Sequence, residues 1–395
     1  VTKVHRDLTS SVAGRRIAVI NWRDPWHPEA GGAERYAWEM ARGLLGRGAA
    51  VRFITARAPG QTGRDRRDGI EIIRLGGRFT VYPRVLAWLL LRRRSFDAVI
   101  DCQNGIPFFT PWVLPGGVPA LCVMHHVHDA QFGIHFSPVV AALGRLLEGP
   151  VARWCYRRQE CVAVSDSTAV AMRSRLRWSG PIHIIPNGLS ADSFARPVLA
   201  ESRPESAATG PGSLVWVGRL VAHKRADRVL DIGDRLRDTG ITIDMVGRGP
   251  AADSLVSEIA SRGLESVVRL RGYLPEDEKR ALVANALLHL NTSRGEGWGL
   301  CVLEAAALGV PTVAYDVDGL RDAVRDGETG WLVRDGELIA DVTERALKEL
   351  ANPSRRAEMA AACCTWASRF DWDQSAAAMT ALVADVLRRR VGGRA

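Results

Sequence analysis

The sequence predicts an α/β protein made of two doubly wound halves, on three observations. Short apolar runs of strand length alternate with longer segments of helical spacing. The alternation starts afresh after residue 213, and a stretch rich in Pro, Ser, Gly and Ala separates the two series. The chain has 395 residues, enough for two or three domains at about 150 residues each. At 47% hydrophobic and 25% charged, it falls outside the disordered, collagen-like and disulfide-scaffold classes.

In the first half, RRIAVI at 15–20 reads as a buried strand, followed by helical spacing from Ala33 to Arg47. Further strands are expected at 50–56, 71–75, 97–102 and 120–126, with helical segments at 81–94 and 138–158. The second series opens with LVWVGRL at 214–220 and a helix near 225–238. Strands at 241–247, 267–273, 287–293 and 310–316 continue it. The segment 371–393 is amphipathic and helical in pattern, ending in three arginines that suit the negative end of its dipole. The expected domains are 1–194, a linker at 195–213, 214–370, and a C-terminal helix at 371–395 that returns to the first domain. Ligands of open α/β sheets bind at the carboxyl ends of the strands, so a cleft between the two domains is the expected site.

Charge is unevenly placed. Residues 1–200 carry 27 Lys/Arg against 15 Asp/Glu, a net +12, and residues 201–395 carry 26 against 29, a net −3. An anionic partner is expected for the first half. Nucleic acid is excluded, because the arginines are scattered without aromatic interleaving or a zinc, homeodomain or RNP pattern. A phosphorylated small molecule or an anionic membrane surface fits better. For the membrane, YPRVLAWLLLRRRS at 82–95 offers an apolar helix face tipped with arginines; a core helix with a basic end is the equal alternative.

Seven cysteines, odd in number and without a recurring C-x-x-C, favour free thiols in a reducing cytoplasm. The polar start VTKVHRDLTSS carries no secretory leader core, and no apolar run reaches the ~18 residues of a membrane span.

Three stretches carry chemistry. In SRGEGWGLCVLE at 293–304, a Gly-rich turn leads from a strand into a helix starting near Gly299. Free N–H groups and the helix dipole make that a phosphate seat. Glu296 in the turn can take sugar hydroxyls, and Glu304, placed about two turns into the helix, can grip a ribose diol. In VGRLVAHKR at 217–225, Arg219 and Lys224 can converge on a diphosphate or stand as two surface cations. In HPEAGGAERYAWEMARGL at 27–44, Gly31 and Gly32 precede a helix and can present amides to an anion, with Glu34 as a first-turn cap. HHVHDAQFGIH at 125–135 fits neither H-E-x-x-H nor a zinc ribbon, and no metal is expected there. His126, His128 and Asp129 are left between acceptor contact and loop hydrogen bonding.

In one order along the chain stand GGAE at 31–34, IIPNG at 184–188, GRL with its downstream lysine, VGRGP at 246–250, and EGWG with E-x7-E. With these motifs the sequence resembles the retaining glycosyltransferase family 4, the group 1 transferases of GT-B fold, over about residues 15–390. The resemblance implies two Rossmann-like domains facing across a cleft, the second holding a nucleotide-sugar donor and the first an acceptor. Arg219 and Lys224 would hold the diphosphate, Glu296 the transferred sugar and Glu304 the ribose. Amides of Gly297, Trp298, Gly299 and Leu300 would add phosphate and sugar contacts. Gly247 and Gly249 would let the chain pass close to the nucleotide, with Tyr273 and Leu274 lining the base. His125 matches the family histidine that reaches the reacting centre, while Ser165 and Asn187–Gly188 match turns beside the cleft. Two departures stand out. Trp298 replaces the usual phenylalanine, and Asp318–Gly319 stands where the family often has two glycines, so that YDVDG at 315–319 imitates a metal-binding D-x-D, read here as a loop feature without metal.

The expected enzyme is therefore a metal-independent, cofactor-free retaining hexosyltransferase, cytoplasmic, with peripheral contact at an anionic membrane as a further expectation. Its donor would be a UDP- or GDP-sugar, and its acceptor the hydroxyl of a sugar, a lipid-linked glycan or a small molecule. Preorganised cations act strongly on a departing diphosphate in a dry, closed site. A GT-B epimerase or phosphorylase, or a non-catalytic nucleotide-sugar binder, is the alternative. NAD chemistry is not expected, since no G-x-G-x-x-G follows the first strand.

Overall fold

The computed structural model describes residues 12–195 and 212–392. The polar N-terminal stretch and nearly all of the expected linker, 196–211, lie outside the described residues. The chain divides into two compact units, Val1–Gly188 with Asp371–Ala395, and Leu189–Phe370.

The first unit is built on an eight-stranded sheet in the order β3-β4-β2-β1-β5-β6-β7-β8. Its strands are β1 (Arg16–Ile20), β2 (Ala50–Thr55), β3 (Arg64–Arg67), β4 (Ile70–Arg74), β5 (Ala98–Gln103), β6 (Ala120–Met124), β7 (Cys161–Ala163) and β8 (Ile182–Ile184). All neighbours are parallel except β3 and β4. β5 and β6 are buried along their whole length, as parallel strands covered on both faces must be. Three strands of this sheet were not expected from the sequence. β3 reads RDRR and survives as an antiparallel edge, and β7 and β8 are three residues each. The expected single helix at 138–158 is instead a helix Pro138–Leu146, a π turn Leu147–Val151 and a helix Ala152–Cys155. Pro150 lies in the π turn, where it lacks an N–H and would clash with the carbonyl a turn earlier.

The second unit carries a six-stranded, all-parallel sheet in the order β11-β10-β9-β12-β13-β14. Its strands are β9 (Ser213–Val217), β10 (Thr242–Val246), β11 (Val268–Gly272), β12 (Leu288–Asn291), β13 (Thr312–Tyr315) and β14 (Gly330–Val333). The unit begins at Leu189, earlier than the composition suggests. Leu189 is buried with Trp298, Leu303 and Phe370, and its amide donates to the Phe370 carbonyl at 2.9 Å.

The C-terminal helix Trp372–Gly392 packs on the helix Gly32–Gly46 in the core of the first unit. Met379 and Val383 are fully buried there with Tyr36 and Leu44. The two helices meet at Gly43, where a Cβ would stand 2.2 Å from the Ala376 Cβ. Gly43→Ala should therefore lower the thermal midpoint despite its better helix propensity. Overpacking costs ~1–3 kcal/mol against ~1 kcal/mol gained. Thermal unfolding of the Gly43→Ala/Ala376→Gly pair should recover most of the loss.

Candidate active site

In the second sheet the strand order reverses at β9, which lies between β10 and β12. The loops leaving the carboxyl ends of β9 and β12 are thus neighbours at a topological switch point, where open α/β sheets take their ligands. The first holds a single 3-10 turn, Ala222–Lys224; the second runs from Thr292 to Gly299 and opens the helix Leu300–Ala307. Backbone and side-chain bonds lace them together. The Thr292 hydroxyl donates to the Lys224 carbonyl at 2.7 Å and accepts from the Trp216 indole at 2.9 Å. The Arg294 amide donates to the His223 carbonyl at 2.9 Å. Arg225, in the left-handed region at φ 45°, donates through Nε to the Thr292 carbonyl at 2.9 Å and lies 4.0 Å over the Tyr315 ring.

That lacing brings Lys224 Nζ against Glu296 Oε1 in a hydrogen-bonded ion pair. The Ser293 hydroxyl donates to the same oxygen at 2.7 Å. Burial pushes the Glu296 carboxyl up, but the Lys224 charge and hydrogen bond, with that of Ser293, outweigh it and hold the group below the ordinary glutamate range. Arg219, exposed on the same β9 loop, makes no ion pair among the described residues.

The turn itself is propped from below. The Glu296 amide donates to the Asp318 carbonyl at 2.9 Å, and Gly319, at φ 77°, could carry no Cβ without meeting the Glu296 carbonyl at 2.3 Å. The departure from two glycines keeps the one that matters. Asp316 and Asp318, the D-x-D look-alike, are both gripped by Arg321, at 2.8 and 3.1 Å. No group of three metal-ligating side chains occurs among the described residues.

The Trp298 ring faces the core. The side chain is buried edge-on against Phe370, ring centroids 5.0 Å apart, and its indole N–H finds no partner. Its contribution to the turn, with Gly297, Gly299 and Leu300, is by backbone. Glu304 sits just over one turn into the helix rather than two, because the helix starts at Leu300. Lys279, from the helix Glu276–Ala284, stands 3.7 Å from its Oε2 and 2.8 Å from Glu276. Where Cβ atoms would stand at Gly247 and Gly249, the β9 loop's own backbone intervenes, with the Gly218 carbonyl at 1.7 Å and the Leu220 carbonyl at 2.2 Å. These glycines let two loops interlock, a role separate from approach to a nucleotide. Tyr273 is exposed beyond β11 with the Arg248 guanidinium 5.2 Å over its ring, and Leu274 packs beside Val215 and Val246.

In the first unit the order reverses at β1, between β2 and β5. The Gly31 amide after β1 is not open to an anion. It donates to Glu34 Oε2 at 2.8 Å, so the helix Gly32–Gly46, led by Gly32, brings its own carboxylate cap. His125, just past β6, lies edge-on to Tyr36 at 5.1 Å. Burial, with His128 nearby, lowers its pKa to about 3, leaving the ring neutral, and its buried Nε2 has no partner. His128 Nδ1 lies 2.9 Å from the His126 carbonyl and 3.3 Å from Glu148 Oε1; both accept, which assigns the ring hydrogen to Nδ1. Asp129 is paired with Arg175, Nε to Oδ2 2.8 Å. The side chain of His135 falls outside those described. Ser165 caps the helix Asp166–Ser174, its hydroxyl accepting from the Thr168 amide at 3.1 Å. Gly188 abuts the Trp372 backbone, where a Cβ would stand 2.2 Å from the Trp372 nitrogen.

Two doubly wound units with this switch-point site define the GT-B class of glycosyltransferase. The solved sucrose-phosphate synthase of Thermosynechococcus elongatus superposes with a TM-score of 0.78 at 18% identity, covering 96% of this chain and all of that one. The Anabaena protein HepE, solved with UDP-glucose, gives 0.71 at 18% identity, covering 95% of this chain and all of its own. The model for glycosyl transferases group 1 matches residues 200–363, and that for Glycosyltransferase Family 4 matches 30–193. The chain belongs to the group 1, family 4 glycosyltransferases. A glycogen synthase of Mycobacterium tuberculosis is 28% identical over 93% of this chain and 94% of its own length.

The Glu296 shift has a consequence for folding stability. A carboxyl whose folded pKa is depressed contributes stability above its unfolded pKa and loses it as pH falls through the folded value. The stability difference between wild type and Glu296→Gln, from denaturant titrations, should be flat above the ordinary glutamate range and shrink on acidification below it.

Proposed function

We propose that the enzyme transfers a hexosyl group from a UDP- or GDP-sugar to a hydroxyl acceptor, with retention at the anomeric carbon and without a metal. The Lys224–Glu296 pair at the switch point carries this reading. A diphosphate carries more negative charge than one carboxylate, so it displaces Glu296 as the partner of Lys224 and takes the free Arg219 as a second cation. Glu296, released, accepts hydroxyls of the transferred sugar. The amides from Gly297 to Leu300 add to the phosphate seat, and Glu304, steadied by Lys279, takes the ribose. Tyr273 and Leu274 flank the base. The solved complex of HepE with UDP-glucose supports UDP as the carrier.

The acceptor belongs to the first unit, where the Gly32 helix start lies after β1, and the neutral His125 offers its buried Nε2 to the transferred sugar. In the reaction the anomeric carbon–oxygen bond to the diphosphate breaks and a bond to the acceptor oxygen forms on the same face. The acceptor proton passes to the departing phosphate. Among the described residues of the β9 and β12 loops, 218–225 and 292–299, Glu296 is the sole carboxylate, which favours this front-face route over double displacement. A polysaccharide, a lipid-linked glycan or a small molecule serves as acceptor, in glycolipid, polysaccharide or glycoside synthesis. No helix among the described residues is long and apolar enough to cross a membrane. We place the enzyme in the cytoplasm, in peripheral contact with an anionic membrane.

Glu296→Ala and Lys224→Ala should each lower turnover by ~10²-fold or more, on the scale of other preorganised electrostatic groups. Glu296→Gln should separate binding from chemistry, because it removes the internal competitor for Lys224. Calorimetry should give tighter UDP or GDP binding while transfer falls. Absence of heat with both nucleotides, or an inverted product by proton NMR, would overturn the reading.

Excess chelator should leave the transfer rate unchanged, and Asp316→Asn should stay within a few-fold of wild type. A strict divalent requirement in a coupled nucleotide-release assay counts against the cationic pair.

A further inference from the structure

The first unit exposes an apolar ridge that its own fold leaves uncovered. It runs along 138–155, through the helix, π turn and helix described above. Ala141, Gly144 and Ala152 face inward and are buried. Val139, Leu143, Leu146 and Trp154 are 81, 53, 49 and 57% exposed. Spacings of four, three and eight residues keep these four on one side, with the wider π turn carrying the stripe past Pro150. Half-exposed Trp112 extends it, its ring centroid 6.2 Å from that of Trp154. Soluble monomers rarely leave so much clustered apolar surface in water.

The charges along this segment are of one sign. Arg145, Arg157 and Arg158 are exposed, and the Arg157 guanidinium lies 4.9 Å over the Trp154 ring. The one carboxylate of 138–158, Glu148, is buried and accepts from the His128 amide at 2.7 Å. An aliphatic stripe, exposed indoles and a fringe of arginines match the boundary between acyl chains and anionic headgroups. A second copy of the chain matches less well, because a two-fold contact would set these arginines against one another.

We propose that this ridge docks the first unit on an anionic phospholipid surface, with the helix lying in the plane of the interface. The inference rests on the peripheral-membrane part of the reading above and moves the contact to a different element. In the helix Val81–Arg92, to which the sequence pointed, Val81, Val85 and Leu89 are buried in the core; of its large apolar residues only Leu90 and Leu91 are exposed.

Flotation of the full chain with vesicles tests it, comparing phosphatidylglycerol mixed into phosphatidylcholine with phosphatidylcholine alone. The protein should float with the anionic vesicles at low salt and be released at high salt. Leu143→Glu/Leu146→Glu should lower the bound fraction at least tenfold with an unchanged thermal midpoint. Arg157→Glu/Arg158→Glu should weaken binding to the anionic vesicles, and Leu90→Glu/Leu91→Glu should leave it unchanged. Failure of wild type to float, or undiminished flotation of the Leu143/Leu146 variant, overturns the proposal. So does a dimer in light scattering that this variant dissolves without any vesicle binding, which would give the ridge to a second copy. UDP calorimetry on the same preparations keeps the two readings apart: loss of nucleotide binding with flotation intact sinks the transfer chemistry alone.

Discussion

The Lys224–Glu296 ion pair is the contact on which the arrangement of the second unit turns. Neither residue would hold its place on a free loop. Lys224 closes a single 3-10 turn, and Glu296 stands in a turn of glycines. Their meeting depends on the Thr292 hydroxyl, the Arg225 guanidinium and the Arg294 amide, which tie the β9 and β12 loops together, and on the Asp318 carbonyl beneath. Two opposite charges are thereby kept partly out of water and paired, so that neither is left buried without a counter-charge.

The fold was legible in most strands that burial on both faces makes apolar, such as β1, β5, β6 and β9, and β2, β4 and β10 to β13 were also expected within a few residues. The short β7 and β14, reading CVA and GWLV, were not. What could not be read was structure decided by neighbours rather than by its own side chains. β3 is charged throughout and is a strand only because β4 offers an edge. The break at Pro150 was visible as a residue, but its effect, a π turn inside a continuing helix, needs the flanking turns to define it.

The site divides the same way. Lys224 and Glu296 meet across the β9 and β12 loops and Glu304 stands in the helix that follows, but several partners that set their geometry had no sequence signal. Ser293 sat unassigned inside the motif, Lys279 comes from a different helix, and Arg321 neutralises the D-x-D look-alike from five residues beyond Asp316. For Gly31 the local reading was overtaken by Glu34, whose carboxylate takes the amide. Side-chain identity announces what a residue can do; only its neighbours decide which option is exercised.

The return of the helix Trp372–Gly392 makes the second unit an interruption of the first. During synthesis the eight-stranded sheet is complete once residue 184 has left the ribosome, yet its helix Gly32–Gly46 still lacks the cover that Trp372 and Ala376 give to Tyr36 and Gly43. The later unit has every one of its own strands by residue 333 and can close first. The earlier half therefore waits for the last helix with an unsealed flank, and a nascent chain stalled short of it would bind holdase chaperones through that flank while already carrying a finished second unit.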